Sequence, residues 1–205
     1  MALPRGGEGA PVGVFHTMRL IAGTAGGIPL LSPRHDARPT TDRVREAVFS
    51  KLADRFADAA VADLFAGSGA YGLEALSRGA RSAVLVEKNR LACEVIRRNA
   101  EKARLTEGLQ VRQSDAFDWL KGQPGPFPVV FADPPYKKAP EDEDFAGKLL
   151  TGSGLATIVA PDGVLVLESF AGRGRLEVPA TWTLLDQRTY GSSLISYLTP
   201  TPRQP

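Results

Sequence analysis

The chain has 205 residues, 43% of them hydrophobic and 23% charged, with a formal net charge of only +2. That length and balance suit one globular domain with a small appendage, and they exclude a chain that binds nucleic acid over its whole surface; any such affinity has to reside in a local patch. The single Cys93 excludes an internal disulfide and fits a reducing compartment, His16 and His35 form no Cys/His cluster for a metal, and no apolar run approaches the ~18 residues of a membrane span.

Residues 1–17 are rich in glycine and proline and lack the apolar core of a signal peptide. They read as a disordered extension, and a cytoplasmic protein is expected. Over 18–60, Arg19-Leu20-Ile21-Ala22-Gly23 and Ile28-Pro29-Leu30-Leu31 flank Thr24-Ala25-Gly26-Gly27, which predicts a β-hairpin with a glycine turn. Thr40 or Thr41 then caps a helix: Asp42 and Glu46 favour its first turns, and Val44, Val48, Phe49 and Leu52 share one face. From 61 the pattern alternates. Strands are predicted at 61–66, 82–87, 109–113, 129–132 and 163–170, with helices at 71–78, 91–103, 116–121 and near 145–150. Cys93 falls inside the second of these helices, where a cysteine is structural. Strands at 181–188 and 194–199 are joined by Thr189-Tyr190-Gly191-Ser192-Ser193, too short for a crossover helix, and so form an antiparallel hairpin. The expected fold over 61–200 is α/β and Rossmann-like, with a mostly parallel, doubly wound, seven-stranded sheet that ends in that hairpin and is preceded by the small N-terminal one. By fold analogy, this ending is that of class I methyltransferases rather than of NAD-binding domains.

Three loops at the carboxyl edge of this sheet carry the chemistry. The first joins strand 61–66 to its helix as Asp63-Leu64-Phe65-Ala66-Gly67-Ser68-Gly69-Ala70-Tyr71-Gly72, a G-x-G-x-x-G loop that lets a ligand approach the backbone and the helix N–H groups. Glu87, twenty residues after Gly67, is placed to accept both hydroxyls of a ribose. Together they indicate an adenosine-type cofactor, with Asp63, Phe65, Ala66, Gly67, Ser68, Gly69, Glu87 and Lys88 as binding candidates. Asp63, placed to pair with the amino-acid end of the cofactor, favours S-adenosylmethionine over NAD. Asp115 reads two ways: with Ala116 it can meet an adenine edge, or it can cap the helix that follows. The third loop is Asp133-Pro134-Pro135-Tyr136, after an apolar strand. Its prolines fix φ and remove two backbone donors, which leaves acceptors beside a flat ring. That arrangement suits a planar base bearing an exocyclic amine, with Asp133 and the Pro134 carbonyl holding the amine and Tyr136 stacking on the base.

These segments resemble one family. Arg38-Pro39-Thr40-Thr41-Asp42-Arg43-Val44-Arg45-Glu46, the glycine loop, Gly72-Leu73-Glu74-Ala75-Leu76-Ser77-Arg78-Gly79 and the Asp133 ledge are similar to the bacterial 16S rRNA guanine-966-N2 methyltransferases, in order and at family spacing over roughly 18–199. Tyr71 departs from the pattern, where a smaller or aliphatic residue is usual. The resemblance implies S-adenosylmethionine as methyl donor and S-adenosylhomocysteine as product. It also implies 16S rRNA in the small ribosomal subunit as substrate. A monomer is the default expectation, and the sequence itself suggests neither a metal nor a membrane span. Arg19, Arg38, Arg43, Arg45, Lys137 and Lys138 are the candidate RNA contacts. Most have a plainer alternative: Arg19 on a hairpin that merely caps the sheet, Arg43 and Arg45 on a charged surface helix, the lysines in a loop balanced by Glu141, Asp142, Glu143 and Asp144. Three other functions compete. A DNA amino-methyltransferase needs a target-recognition region for which there is no room. A protein-glutamine methyltransferase uses Asn where this chain has Asp133. A non-catalytic RNA-binding assembly module has no need of the loop, Glu87 and ledge together.

Overall fold

The computed structural model describes residues 15–32, 42–122, 125–139, 141–174 and 176–202. The N-terminal hairpin pairs β1 (Phe15–Arg19) with β2 (Pro29–Ser32) in an antiparallel sheet of its own. It starts at Phe15, inside the segment expected to be disordered. Helix α1 (Asp42–Lys51) follows; its expected caps, Thr40 and Thr41, lie outside the described residues.

The main domain then runs β3 (Ala60–Leu64), α2 (Ala70–Ser77), β4 (Ser82–Glu87), α3 (Arg90–Ala103), β5 (Leu109–Gln113), α4 (Ala116–Leu120), β6 (Phe127–Ala132), α5 (Phe145–Thr151), α6 (Ser153–Ile158), β7 (Val159–Phe170), β8 (Trp182–Tyr190) and β9 (Ser193–Pro200). The seven-stranded sheet has the order β5-β4-β3-β6-β7-β9-β8. Strands β3 to β7 pair in parallel, and β9 pairs antiparallel with both β7 and β8, as the sequence predicts. Among the described residues, the elements not anticipated are helix α6 and two short 3-10 turns, Ala53–Arg55 and Ala171–Arg173; at α6, Gly152 and Gly154 flank the start, Gly152 supplies no side-chain cap, and glycine weakens the helical signal.

Alternation along the strands explains the two faces. In β6, Val129 and Phe131 enter a core with Phe49, Phe56, Leu73, Leu85 and Ile96. Val130 and Ala132 enter the opposite one, with Leu64, Trp119, Leu149, Ile158 and Trp182. Burying such side chains contributes about 1.5–3 kcal/mol each, and the central strands are covered on both faces while edge strand β8 stays largely exposed. The chain proceeds outward from β3 to β5 and then returns to the far side of β3 as β6. A crevice therefore opens between the carboxyl ends of β3 and β6, the point at which such sheets bind ligands.

The N-terminal hairpin is anchored over this crevice by side chains of α2 and α3. Glu74, fully buried, accepts from the N–H of Ile21 (2.6 Å) and of Ala22 (3.1 Å) and from Arg78 Nε (2.6 Å). Ser77 accepts from the Ala25 N–H and donates to the Ala22 carbonyl. Asn99 accepts from the Leu31 N–H (2.7 Å) and donates to the carbonyls of Leu31 and Ser68 (both 2.9 Å).

Candidate active site

A cavity of about 420 Å³ occupies the crevice, and residues from all three carboxyl-edge loops line it. After β3 the backbone turns sharply: Phe65 has φ +62° and Gly67 φ +54°, a region that a side chain enters only at a cost of order 1–3 kcal/mol. Phe65 stands edge-on to both Phe117 and Phe145, with ring centroids 6.2 Å apart in each pair. Gly72 is glycine for another reason, since a Cβ there would lie 2.5 Å from Leu85 Cδ1. Its N–H instead donates to Asp63 Oδ2 at 2.9 Å. Asp63 is 2% exposed. Burial pushes its carboxyl up to about 7 against the opposing Gly72 N–H, and the charge of Glu87 adds to the rise.

Glu87, at the end of β4, accepts from the Gly67 N–H through Oε2 (3.0 Å) and from the Asn89 N–H through Oε1 (2.7 Å). Each oxygen keeps a second lone pair for a ligand hydroxyl. Asp115 caps α4 by accepting from the N–H groups of Phe117 and Asp118 and also lines the cavity.

Asp133, Pro134, Pro135 and Tyr136 follow β6 and form the far wall. Asp133 is half-buried and Pro134 buried. The Tyr136 hydroxyl donates to Glu168 and lies 2.9 Å from Ser193 Oγ, while its ring packs at a tilt on Phe170 at 6.1 Å. Burial, followed by the nearby Glu168 carboxylate, pushes the phenol far above its ordinary value. Pro134, Pro135 and Tyr136 also border a second cavity of about 740 Å³, with Lys137, Lys148, Phe170 and Leu194 around it.

Of the predicted cofactor residues, Asp63, Phe65, Ala66, Gly67, Ser68, Glu87, Lys88, Asp115 and Ala116 all line the first cavity. Gly69 does not; with φ +80° it opens α2 and faces Leu85 and Ile96. Among the predicted RNA contacts, Arg43 and Lys138 are exposed, Lys137 is half-buried, and Arg38 lies outside the described residues. The Arg19 side chain is 68% exposed, with Nε 3.7 Å from Asp42. Arg45 is a correction: it is fully buried, and its Nη2 donates to the Arg19 carbonyl and to Asp42 (both 2.6 Å). A side chain enclosed in this way braces the base of the hairpin and is closed to a phosphate. Three of the acids near the lysines have other partners: Glu143 pairs with Lys148, and Asp142 and Asp144 accept from backbone N–H groups.

Sequence reasoning missed Met18 and Ser32, which the hairpin brings to the cavity; the Ser68 hydroxyl donates to Met18 Sδ at 3.3 Å. Nothing local in the sequence marks either residue. Tyr71, the departure from the family pattern, stacks on Phe131 at 4.8 Å and lines the cavity. Its hydroxyl is buried and has no hydrogen-bond partner among the described residues.

Comparison with known proteins agrees with this geometry. The chain is 38% identical over 176 residues to ribosomal RNA small subunit methyltransferase D of Escherichia coli (strain K12), covering 85% of each chain. It is 32% identical to the protein of the same name from Haemophilus influenzae, covering 88% of this chain and 91% of that one. The solved structure of a hypothetical protein from Thermus thermophilus superposes with a TM-score of 0.71 at 31% identity, covering 90% of this chain and all of the other. The family described as Conserved hypothetical protein 95 matches residues 18–199, and with these loops, this sheet order and these relatives the chain belongs to that family.

Proposed function

We propose that this protein transfers the methyl group of S-adenosylmethionine to the exocyclic N2 amine of a guanine in 16S rRNA, acting in the cytoplasm as a monomer on the small ribosomal subunit. The observation that carries the reading is the meeting of the glycine loop, Glu87 and the Asp133 ledge around one cavity. The names of the curated relatives point the same way.

The donor set fits the cofactor. Glu87 offers two carboxylate oxygens to the ribose hydroxyls. Asp63, with Oδ2 held by the Gly72 N–H, offers Oδ1 to an ammonium group, whose charge draws the raised carboxyl back to its ionised form. Asp115 and the Ala116 N–H face the adenine edge. When bound, the cofactor supplies a methyl group on an electrophilic sulfonium.

The rest of the chemistry belongs to the ledge. A guanine N2 is a weak nucleophile because its lone pair is delocalised into the ring. The Asp133 carboxylate and the Pro134 carbonyl accept its two N–H groups and turn the lone pair toward the cofactor. Tyr136 supports the ring, and base–aromatic stacking of about 1–3 kcal/mol is comparable to the few kcal/mol needed to expose a base. As the new N–C bond forms, Asp133 holds the proton that the nitrogen sheds. Most of the acceleration is positional. Arg19, Arg43, Lys137 and Lys138 hold flanking phosphates.

The test is transfer of labelled methyl to unmethylated small subunits, to the same RNA stripped of protein, and to duplex DNA, with the product mapped by nuclease digestion and mass spectrometry. N2-methylguanosine at one site in the subunits supports the proposal; no transfer to any acceptor despite cofactor binding removes it. Asp133→Ala is expected to lower turnover about a hundredfold or more while leaving S-adenosylhomocysteine affinity unchanged. Strong residual turnover in that variant would sink the chemistry assigned to the ledge.

A further inference from the structure

Tyr136 belongs at once to the wall of the cofactor cavity and to the wall of the second cavity. Its loop has no regular secondary structure, so the backbone alone does not fix the ring. What fixes it lies elsewhere in the chain. Glu168 sits near the end of β7 at 3% exposure, and its Oε1 accepts from the Tyr136 hydroxyl. Ser193 opens β9, and its Oγ meets the same hydroxyl at 2.9 Å. Phe170 pairs with Ser193 across the β7–β9 ladder and packs its ring on that of Tyr136.

From this geometry we infer that Glu168 and Ser193 are positioning residues for methyl transfer. They lock the Tyr136 ring upright between the two cavities by holding its hydroxyl, so that the ring is already in place when the acceptor base arrives. The inference rests on the function proposed above and adds to it a role for the terminal hairpin, which delivers Ser193 to the site. The physical argument is preorganisation. A phenol can turn about χ1 and χ2, and a ring that must be ordered during each turnover loses part of its stacking free energy to that ordering. A charge-assisted bond to a buried carboxylate is among the stronger hydrogen bonds available, and the Ser193 bond fixes its direction.

The experiment is a double-mutant cycle on the full chain. Tyr136→Phe keeps the ring and removes the hydroxyl, Glu168→Ala removes the acceptor, and Glu168→Gln keeps an acceptor oxygen of similar shape. Kinetics on small subunits are expected to show kcat falling about tenfold or more in Tyr136→Phe and in Glu168→Ala, with S-adenosylhomocysteine affinity by calorimetry unchanged in both. The double variant is expected to be no slower than the slower single, because both substitutions remove the same bond, and Glu168→Gln is expected to recover most of the loss. Multiplying losses, or a Tyr136→Phe variant as fast as the wild type, overturn the inference while leaving the wild-type reaction intact. A wild type that transfers nothing to RNA fails the proposed function instead. The same cycle read as thermal midpoints then still tests the lock: midpoint losses that do not add support it, and additive ones overturn it.

Discussion

The two hairpins at either end of the chain border the same site, yet they are attached by different physics. The C-terminal one, β8–β9, continues the main sheet: β9 pairs with β7 through six successive residue pairs, and Leu194, Ile195, Tyr197 and Leu198 are buried. The N-terminal one, β1–β2, makes no ladder with the main sheet. Leu20 and Leu30 pack into the core beneath it, and a few buried polar side chains, Glu74, Ser77 and Asn99, bond to its backbone. Attachment by a ladder spreads the interaction over many weak contributions. Attachment by polar side chains concentrates it, so that one substitution leaves several buried groups unpaired.

The contrast predicts a ranking. Glu74→Ala is expected to be the most damaging change, about 3–5 kcal/mol in urea denaturation, because it leaves Arg78 and two backbone donors without their partner. A loss below about 1 kcal/mol would mean that packing, not polar anchoring, holds the hairpin. Asn99→Ala is expected to cost about 2–3 kcal/mol and also to weaken cofactor binding, since Asn99 joins Leu31 of the hairpin to Ser68 of the glycine loop; calorimetry reads the second effect. In the ladder-held hairpin, Trp182 donates to the Leu150 carbonyl at 3.0 Å. Trp182→Phe keeps most of the packing, and thermal denaturation is expected to show about 1 kcal/mol. Smallest is the pair that ties β8 to α1, Lys51 Nζ to Asp186 Oδ2 at 2.7 Å. Asp186→Ala is expected to cost about 0.2–1 kcal/mol, less in high salt. Bonds led by the one from Lys51 lower the Asp186 carboxyl from its ordinary 3.8 to about 2. Its contribution is therefore complete above about pH 4 and fades as the pH falls toward 2, and an acid titration of wild type against variant would show that window.

These attachments also mark where the sequence is legible. Local patterns suffice for the strands from β3 to β9 and for the helices among them other than α6, and they mark the glycine loop, Glu87 and the ledge, because strand ends and turn residues announce themselves within a few positions. Arg45 misleads for the same reason: its neighbours Asp42, Arg43 and Glu46 look like a charged surface helix, and only the hairpin folded over it makes it an interior residue. Glu74 and Asn99 look like ordinary polar positions on amphipathic helices until Ile21 and Leu31 arrive against them. Glu168 follows four apolar residues in β7, and nothing near it signals the tyrosine 32 positions earlier. Polar groups matched across distant elements leave no periodicity behind.

The polar anchoring has a consequence for the order of events during folding. The bonds from Ser68, Glu74, Ser77 and Asn99 to the N-terminal hairpin join residues 50 to 68 positions apart. A two-stranded hairpin alone is marginal in water, so this one has to wait for its receptors on α2 and α3. During synthesis it emerges ahead of these receptors and lacks its full set of partners until residue 99 has followed it. Ser68 accepts from Asn99 through its carbonyl and donates to Met18 through its hydroxyl, so the glycine loop gains its contact with Met18 only at that late docking. The first strands to be made thus complete the site last, and a slow phase in the recovery of cofactor binding after refolding is the trace they would leave.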